Sequence, residues 1–363
     1  MKLLFVLSQI ELTGAETYAL TLARALKAQG HEIIFVSEKI NAPCDFKFYP
    51  LPLHTDNHTT FGRIKNIIAL KKIIKEENIE LIHSHSRAAN LASFFAKPKE
   101  FPMLVSIHGR WRNHFAARVL PCLGDKTIAI CPYLERYLVG ELKRKSQTIS
   151  MIPNGIETQT FFSAAPRENK QLMVLFVGRF SGQKGNVIRY LLREVYPKIG
   201  KEMDQVIFKI AALSPDPGDL ELIRNLNESL NREAAQLLKI QQNLLPLYQE
   251  AELVIGSGRV ALEAMSCGKA VVSIGESSSP GIVSKETFEL AFDSNFGDCG
   301  EWNLFLKKNC LTQEILEILK NKDLRNSIGE WSRSKILEDF DSKKIALKVE
   351  KIYQECINLN RWE

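Results

Sequence analysis

The chain has 363 residues, more than one typical hydrophobic core holds, so its length predicts two domains. Its composition, 45% apolar and 25% charged, is ordinary for a soluble globular protein. No apolar run approaches the roughly 18 residues that a membrane span requires, which argues against a transmembrane protein. The net charge is +6, and we expect no nucleic-acid partner.

Cysteine usage and the first residues predict a cytoplasmic location. The seven cysteines are scattered and include no Cys-x-x-Cys pair, which suits a reducing compartment. The apolar stretch Met1–Leu7 is short and continues into polar residues without a small-residue cleavage site. We therefore interpret it as a buried strand rather than as a signal peptide.

Short apolar runs alternate with longer amphipathic segments, the pattern of βαβ units around a parallel sheet. In the first half, the runs that predict strands are Lys2–Leu7, Ile33–Ser37, Glu80–His83, Met103–His108 and Lys126–Ile130. The first-half segments that predict helices are Ala15–Ala28 and Arg63–Glu77. In the second half, the predicted strands are Leu172–Val177, Val206–Ala211, Glu252–Ile255 and Ala270–Ile274. The last stretch, Ser342–Leu359, is helical in pattern.

The character of the chain changes near its middle. Residues 152–155 have the turn sequence Ile-Pro-Asn-Gly, and residues 164–170 are polar and irregular. We therefore expect an N-terminal domain over residues 1–165, a second domain over 166–340, and a final helical segment over 341–363.

Positive charge is concentrated in the first domain. Residues 1–165 contain 21 lysines and arginines against 14 acidic residues, whereas the remainder contains 27 against 28. This excess suggests an anionic partner, such as a phosphorylated acceptor or the acidic surface of a membrane. The alternative is a solvated lysine-rich face.

Candidate binding loops follow from the predicted sheets. In open parallel sheets, ligands bind beyond the carboxyl ends of the strands, where loops lead into helices. In the first domain this rule selects Ser8–Glu16, Ser84–Arg87 and His108–Arg112. In the second domain it selects Gly178–Gly185, Gly256–Val260 and Gly275–Gly281. These loops contain most of the conspicuous glycines and basic residues.

The loop Gly178–Gly185 has two cations, Arg179 and Lys184, on a glycine-rich turn after a strand. Arginine clamps phosphate oxygens, lysine adds a compact charge, and glycines let the backbone approach closely. The loop therefore indicates a diphosphate site, and the alternative is an exposed turn.

The segment Gly256–Met265 indicates a loop that opens a helix, where backbone N–H groups attract a phosphate. Glu263, about one turn into this helix, is placed to accept hydrogen bonds from ribose hydroxyls; its alternative role is an ordinary solvated glutamate. Neither glycine-rich segment matches a dinucleotide fingerprint or a nucleoside-triphosphate loop. This argues against a nicotinamide enzyme and a triphosphatase.

Two strand ends contain histidines. His83 and His85 have a His-x-His spacing, but no cluster of carboxylates or cysteines accompanies them, so we expect no metal site. His108, which precedes Arg110 and Arg112, can hydrogen-bond a sugar or hold an anionic acceptor. The alternative is a capped loop histidine.

With these loops identified, the sequence resembles the GT-B glycosyltransferases, specifically the glycosyltransferase family 4 type, over nearly the whole chain. The first-half motifs that carry the resemblance are Thr13–Glu16, His83–Arg87, Ile107–Gly109 and Ile152–Glu157. The second-half motifs are Val177–Arg179, Lys184–Gly185, Leu262–Lys269 and Asn295–Asp298. Each is weak alone, but their order and spacing together are specific.

The resemblance implies an α/β fold of GT-B type, with two Rossmann-like, doubly wound domains, an interdomain cleft, and a donor held mainly by the second domain. It implies retaining transfer from a UDP- or GDP-linked sugar, with no catalytic metal and no cofactor. The implied partners are this donor and a cell-surface glycan or glycolipid acceptor, with peripheral contact at the cytoplasmic face of the membrane.

Roles in the second domain carry over by position. Arg179 and Lys184 would bind the donor diphosphate and stabilise the leaving group. Glu263 would bind the ribose. The remaining donor contacts are implied at Gly258, Arg259 and Val260.

Roles in the first domain carry over in the same way. Gly14 and Ala15 would let their loop close on the donor, and His108 would position the transferred sugar. The acceptor-side candidates are His85, Arg87, Arg110 and Arg112.

The chain departs from the family pattern at two places. The paired-glutamate motif has a second glutamate eight residues before Glu263, and that position is Ile255, so the residue expected to face the donor sugar is missing. The usual glycine-rich strand end is replaced by Ala211–Pro215, which weakens any inference about base recognition.

Two other functions stay open from the sequence. A nucleotide-sugar epimerase shares the GT-B architecture and would act without an acceptor. Because Ile255 replaces the expected glutamate, a non-catalytic protein that binds a nucleotide-sugar is a further alternative. The leading hypothesis is a glycosyltransferase that builds a bacterial surface polysaccharide, lipopolysaccharide or glycolipid.

Overall fold

The computed structural model describes residues 1–9, 13–111, 119–120, 122–164, 171–238, 243–300 and 310–359. Contacts divide the chain into two units: unit 1 comprises Met1–Gly155 with Phe340–Glu363, and unit 2 comprises Ile156–Asp339. Each unit is built on a mainly parallel sheet connected by helices, so the predicted α/β class is confirmed.

Unit 1 contains a parallel sheet. Its strands are β1 Lys2–Val6, β2 Glu32–Ser37, β3 Lys47–Pro50, β4 Leu81–Ser84, β5 Met103–Ile107, β6 Lys126–Ala129 and β7 Ile149–Met151. The described helices before the linker are α1 Gly14–Ala28, α2 Thr60–Glu76, α3 Arg87–Ala96 and α4 Pro132–Gly140, with short 3₁₀ turns at Thr55–His58 and Ser146–Thr148. The strand order among described residues is β3-β2-β1-β4-β5-β6-β7. The apolar residues of β1 are fully enclosed, as expected for a central strand with both faces covered.

Unit 2 contains the second sheet. Its strands are β8 Leu172–Arg179, β9 Val206–Leu213, β10 Ala235–Leu237, β11 Leu253–Gly256, β12 Ala270–Ser273 and β13 Gly281–Ile282. Its described helices are α5 Gly182–Tyr190, α6 Tyr196–Glu202, α7 Pro217–Ser229, α8 Leu245–Glu250, α9 Arg259–Ser266, α10 Phe288–Asp293, α11 Cys310–Lys320 and α12 Lys322–Asp339, with a π-helical turn at Leu191–Val195 between α5 and α6. The strand order is β10-β9-β8-β11-β12-β13, and β13 pairs antiparallel with β12.

This order positions the candidate loops of unit 2. Strand β11 pairs in parallel with β8 on one side and β12 on the other. The carboxyl ends of these three neighbours therefore meet at one edge of the sheet, and so do the loops that follow them.

The last helix, α13 Ser342–Leu359, belongs to unit 1. It packs against α1 and adds Ile345, Val349 and Tyr353 to the same buried core as Leu22 of α1. A helix with an apolar stripe is stabilised mainly by burying that stripe, so α13 is an integral part of unit 1.

The division between the units falls after Gly155, earlier than the boundary at residue 165 that the polar segment led us to expect. Residues just after the division are attached to unit 2 by hydrogen bonds. The Arg333 guanidinium donates to the carbonyls of Phe161 and Thr158 at 2.8 and 3.1 Å, and Ser266 Oγ donates to Phe161 O at 2.7 Å. These bonds join sequence-distant groups, so local composition does not predict them.

All the strands predicted from apolar runs are present, within one or two residues at each end. Four strands were not predicted from the sequence: β3, β7, β10 and β13, which lie at the edges of the two sheets. They have two to four residues each and are only partly buried. Short, half-exposed edge strands carry no long apolar run, so they lack the signal used for the interior strands.

Within the described ranges, every helix is either too short or too polar to cross a bilayer.

Truncation of a buried side chain on α13 tests its contribution to unit 1. Ile345 is 1% exposed, whereas Leu347 on the same helix is 52% exposed. We expect Ile345→Ala to lower the free energy of unfolding by about 2–5 kcal/mol, because it leaves a cavity. Leu347→Ala should change it by less than about 0.5 kcal/mol. Urea denaturation followed by circular dichroism measures both, and equal effects would contradict the packing of α13.

Candidate functional site

The cationic loop after β8 and the loop after β11 meet in the structure. Lys184 Nζ, on the first turn of α5, donates a hydrogen bond to Ser257 Oγ at 3.3 Å. Arg179 is exposed at the end of β8. The two segments that were expected to share a phosphate therefore lie at the same edge of the unit 2 sheet.

A third segment, residues 294–298, completes this contact. Lys184 Nζ also donates to Asp298 Oδ2 at 2.8 Å, an ion pair in which both side chains are about three-quarters buried. The Gly258 amide donates to Asn295 O at 3.2 Å. Residues Asn295–Asp298 contribute to the family resemblance, but Asp298 was not among the predicted site residues.

Glycines permit this close approach. Gly258 has a φ of +54°, and a Cβ built on it would lie 2.5 Å from Asp298 Oδ2. A Cβ on Gly275, in the loop after β12, would lie 2.4 Å from the Gly297 backbone. Because any larger residue clashes at both places, the glycines are needed to hold segment 294–298 between the two loops.

The loop after β12 brings a second carboxylate to the charged groups. Glu276 is half-buried, and its backbone neighbour Ser277 donates from N to Gly297 O at 2.9 Å. Burial and then the charge of Asp298 raise the pKa of Glu276, against the opposing effects of Lys184 and Arg179. Glu276 was not among the predicted site residues, although its loop was among those selected by the strand-end rule.

The entrance of α9 differs from the expected open phosphate site. No side chain caps the helix, but the Val260 amide donates to Ser257 O at 3.2 Å and the Gly258 amide is bonded to Asn295. Both amides are thus already paired within the protein. Their contact with a donor phosphate stays a prediction, and it requires these bonds to rearrange.

Glu263 is not an ordinary solvated glutamate. It is 6% exposed, its Oε1 accepts from Arg259 Nε at 2.7 Å, and its Oε2 accepts from the Tyr248 hydroxyl at 3.0 Å. Burial raises the pKa of Glu263, although Arg259 and Tyr248 both oppose the shift. Each carboxylate oxygen retains a further lone pair, so the proposed ribose contact remains open, while the Arg259 side chain is turned toward Glu263.

Ile255 lies inside β11 and is fully buried in the hydrophobic core of unit 2. The position at which the family pattern has a glutamate therefore contributes packing in this chain and no polar contact.

In unit 1, α1 begins at the candidate residues Gly14 and Ala15. Thr13 caps the helix by accepting a hydrogen bond from the Glu16 amide at 3.3 Å. Gly14 is exposed, and a Cβ built on it would meet no atom of the described residues within 4 Å, while Ala15 is half-buried. The buried Glu16 carboxylate accepts from the Asn41 and Ala42 amides at 2.8 Å, which gives it a structural role.

The strand-end histidines form one cluster with Tyr18. His83 and His85 have ring centroids 4.2 Å apart, and His85 stacks on His108 at 5.7 Å. Tyr18 contacts His108 edge-on at 4.6 Å. His83 hydrogen-bonds Ser106 Oγ and the Tyr353 hydroxyl, both at 2.8 Å, so His83 has a structural role.

Burial keeps these imidazoles neutral. It lowers the pKa of His83 and His85 well below the usual histidine value and that of His108 to about 4. Both ring nitrogens of His85 and Nε2 of His108 are enclosed and have no hydrogen-bond partner among the residues that the structure describes. His108 therefore has a nitrogen available for a neutral hydrogen bond, and at pH 7 it lacks the second ring proton that an imidazolium gives as an acid.

The acceptor-side arginines pack on aromatic rings. The Arg87 guanidinium lies 5.1 Å from the Trp111 ring centroid. Arg110 lies 5.8 Å from the Tyr137 ring and donates to the Tyr133 hydroxyl at 3.3 Å. Arg112 lies outside the described residues.

Across the described ranges, no group of three or more His, Cys, Asp or Glu side chains is arranged to hold a metal ion.

Comparison with known families gives two matches. Residues 12–160 match the model of Glycosyltransferase Family 4, and residues 171–295 match the model of Glycosyl transferases group 1. Together the two matches span most of the chain and fall one on each side of its polar middle segment.

Individual relatives agree with the family models. An uncharacterized glycosyltransferase of Methanocaldococcus jannaschii is 24% identical over 297 residues, which cover 78% of each protein. The UDP-Gal:alpha-D-GlcNAc-diphosphoundecaprenol alpha-1,3-galactosyltransferase of Escherichia coli is 23% identical, over 85% of this chain and 83% of that protein. A crystal structure of a glycosyltransferase from Rickettsia africae superposes with a TM-score of 0.77 at 19% identity, over 98% of both chains.

Because the clustered histidines are neutral in the folded state, we expect the stability of unit 1 to fall in acid. The folded state binds fewer protons than the unfolded state wherever a histidine pKa is lowered, so stability falls as the pH drops below about 6.5. The wild type loses stability between pH 7 and pH 5, and we expect this loss to be smaller by up to about 2 kcal/mol in His85→Phe. The control His58→Phe changes an exposed histidine and should leave that loss unchanged. Urea denaturation at the two pH values tests this, and an unaltered loss in His85→Phe contradicts it.

Proposed function

Because the chain belongs to the GT-B glycosyltransferases of family 4 type, we propose that it transfers a sugar from a UDP- or GDP-linked donor to a glycan or lipid-linked acceptor. We further propose that transfer retains the anomeric configuration and uses neither a metal ion nor another cofactor. The observation that supports the donor assignment is the meeting of the cationic loop with the α9 entrance through Lys184 and Ser257.

The donor diphosphate needs positive charge most strongly as the bond to the sugar breaks, because negative charge then develops on the leaving group. Lys184 is held near the α9 entrance by Asp298 and Ser257, and Arg179 is exposed at the end of the neighbouring strand. In this proposal, both cations bind phosphate oxygens, and Lys184 exchanges part of its contact with Asp298 for the donor. These cations supply the stabilisation that a divalent metal provides in other enzymes.

The other implied roles depend on the hydrogen bonds, the charge and the exposure of each group. Glu263 accepts hydrogen bonds from the ribose through the lone pairs that Arg259 and Tyr248 leave unused. His108 is neutral, so it positions the transferred sugar by hydrogen bonding and does not deliver a proton. Gly14 offers the donor an exposed backbone that no side chain of the described residues covers.

A surface of unit 1 supports a membrane-bound acceptor. Phe61, Ile64 and Ile68 of α2 are 80%, 50% and 64% exposed, and Lys65 and Lys72 lie on the same helical face. Exposed apolar side chains interleaved with cations are typical of helices that bind the surface of anionic membranes. The name of the Escherichia coli relative specifies a diphosphoundecaprenol acceptor, which is anionic and lipid-linked. We propose that α2 binds the cytoplasmic face of the membrane that presents such an acceptor.

Removal of the two cations tests the donor site. We expect Arg179→Ala with Lys184→Ala to weaken binding of the preferred UDP- or GDP-sugar at least about tenfold, because two charge-assisted contacts are lost. The control pair Arg224→Ala with Lys201→Ala removes the same two residue types from exposed positions of unit 2 and should bind normally. Calorimetric titration in EDTA across UDP-, GDP- and ADP-sugars measures the affinities. A wild-type protein that binds none of them contradicts the donor assignment, and binding only with added Mg²⁺ contradicts metal independence.

Vesicle binding tests the membrane surface. We expect the protein to sediment with vesicles that contain phosphatidylglycerol but not with vesicles of phosphatidylcholine alone. Phe61→Ser with Ile68→Ser should reduce the bound fraction about fivefold or more, since the two most exposed of the three apolar contacts are removed. Leu347→Ser, which changes an exposed leucine on α13, should bind like the wild type. Equal binding to both vesicle types, or no effect of the α2 substitutions, would rule out this surface.

A further inference from the structure

Glu276 borders the proposed diphosphate site and has no bonding partner of its own. It lies in the loop after β12, half-buried, and makes neither a hydrogen bond nor an ion pair with any group in the described part of the chain. It is close enough to Lys184, Arg179 and Asp298 to interact electrostatically with each of them. A carboxylate that is partly removed from water and left unpaired is costly, so its presence calls for a ligand that donates hydrogen bonds.

Asp298, the other carboxylate here, already has a partner. Its Oδ2 accepts from Lys184 Nζ at 2.8 Å, and a Cβ on Gly275 would lie 2.8 Å from its Oδ1, which is buried. The backbone around it is constrained, with Phe296 at a φ of +55° and fully buried. Asp298 therefore orients the lysine and is poorly placed to turn toward a ligand.

A nucleotide-sugar donor needs two kinds of contact, cations for its diphosphate and hydrogen-bond acceptors for its sugar. The diphosphate takes positive charge from Lys184 and Arg179, but the attached sugar presents hydroxyl groups, which need hydrogen-bond acceptors. Strand β11 supplies none, because Ile255 is fully buried in the core. Asp298 Oδ1 also lacks a hydrogen-bond partner among the described residues, but it is enclosed beside Gly275. Glu276 interacts with both cations and is only half-buried, so its unpaired oxygens are the ones that a ligand reaches.

We propose that Glu276 determines donor specificity by accepting hydrogen bonds from hydroxyl groups of the transferred sugar. This inference rests on the proposed function, since it places the donor diphosphate at Lys184 and Arg179. A sugar-binding role for Glu276 has a consequence that a purely structural role does not have. The carboxylate repels a bare nucleoside diphosphate, and only a ligand with sugar hydroxyls compensates for that repulsion.

The isosteric variant Glu276→Gln separates these effects. We expect it to weaken the complex with the preferred nucleotide-sugar about tenfold or more, because charge-assisted hydrogen bonds become neutral ones. The affinity for the matching nucleoside diphosphate should stay equal or increase, since the repulsion is removed. Calorimetric titration with UDP, GDP and their glucose, galactose, N-acetylglucosamine and mannose conjugates measures both affinities. The matched control Glu289→Gln, at an exposed position of α10, should change neither.

Deoxygenated donors complete the test. In the wild type, removal of the hydroxyl that Glu276 contacts should weaken binding about tenfold, and the same removal should have little further effect in Glu276→Gln. If Glu276→Gln weakens the nucleoside diphosphate and the nucleotide-sugar equally, or changes neither, the inference is wrong while the donor site stands. If the wild type binds no nucleotide and no nucleotide-sugar, the proposed function itself fails.

Discussion

The hydrogen-bonded ion pair between Lys184 and Asp298 holds the charged site of unit 2 together. It joins the loop after β8 to residues 294–298, and that segment approaches Gly258 and Gly275 so closely that no larger residue fits at either glycine. The lysine is thereby oriented before any anion binds. A cation that is already ordered loses less side-chain entropy on binding, so more of its attraction appears as affinity.

The two units differ in the charge of their candidate site residues. Unit 2 brings cations and carboxylates together, with Arg179 and Lys184 beside Glu276 and Asp298. In unit 1, burial keeps the histidine cluster uncharged and ties it to the final helix through the hydroxyl of Tyr353. A nucleotide-sugar has the same division, because its diphosphate is charged and its sugar is not. Under the proposed function, the charged loops bind the leaving group and the neutral imidazole of His108 hydrogen-bonds sugar hydroxyl groups.

Physical rules applied to the sequence identified the interior strands of both sheets and two of the four charged residues of the site. Strands buried on both faces are continuous apolar runs, whereas the short edge strands such as β3 and β13 contain no such run. The strand-end rule identified Arg179 and Lys184, because cations and glycines on a loop after a strand form a local pattern. Asp298 follows a short helix instead of a strand, and Glu276 stands in a loop without a cation, so neither carries that pattern.

The sequence by itself determined the alternation of strands and helices, the family resemblance, and the loops that carry charge, since each depends on residues near one another in the chain. Only the tertiary structure decided that Glu263 is buried against Arg259 and Tyr248, and that Ile255 faces the core. It also decided that Asp298 holds a lysine 114 residues away. Local patterns set which elements form, but the partner of a buried charge depends on which distant segments the fold brings together.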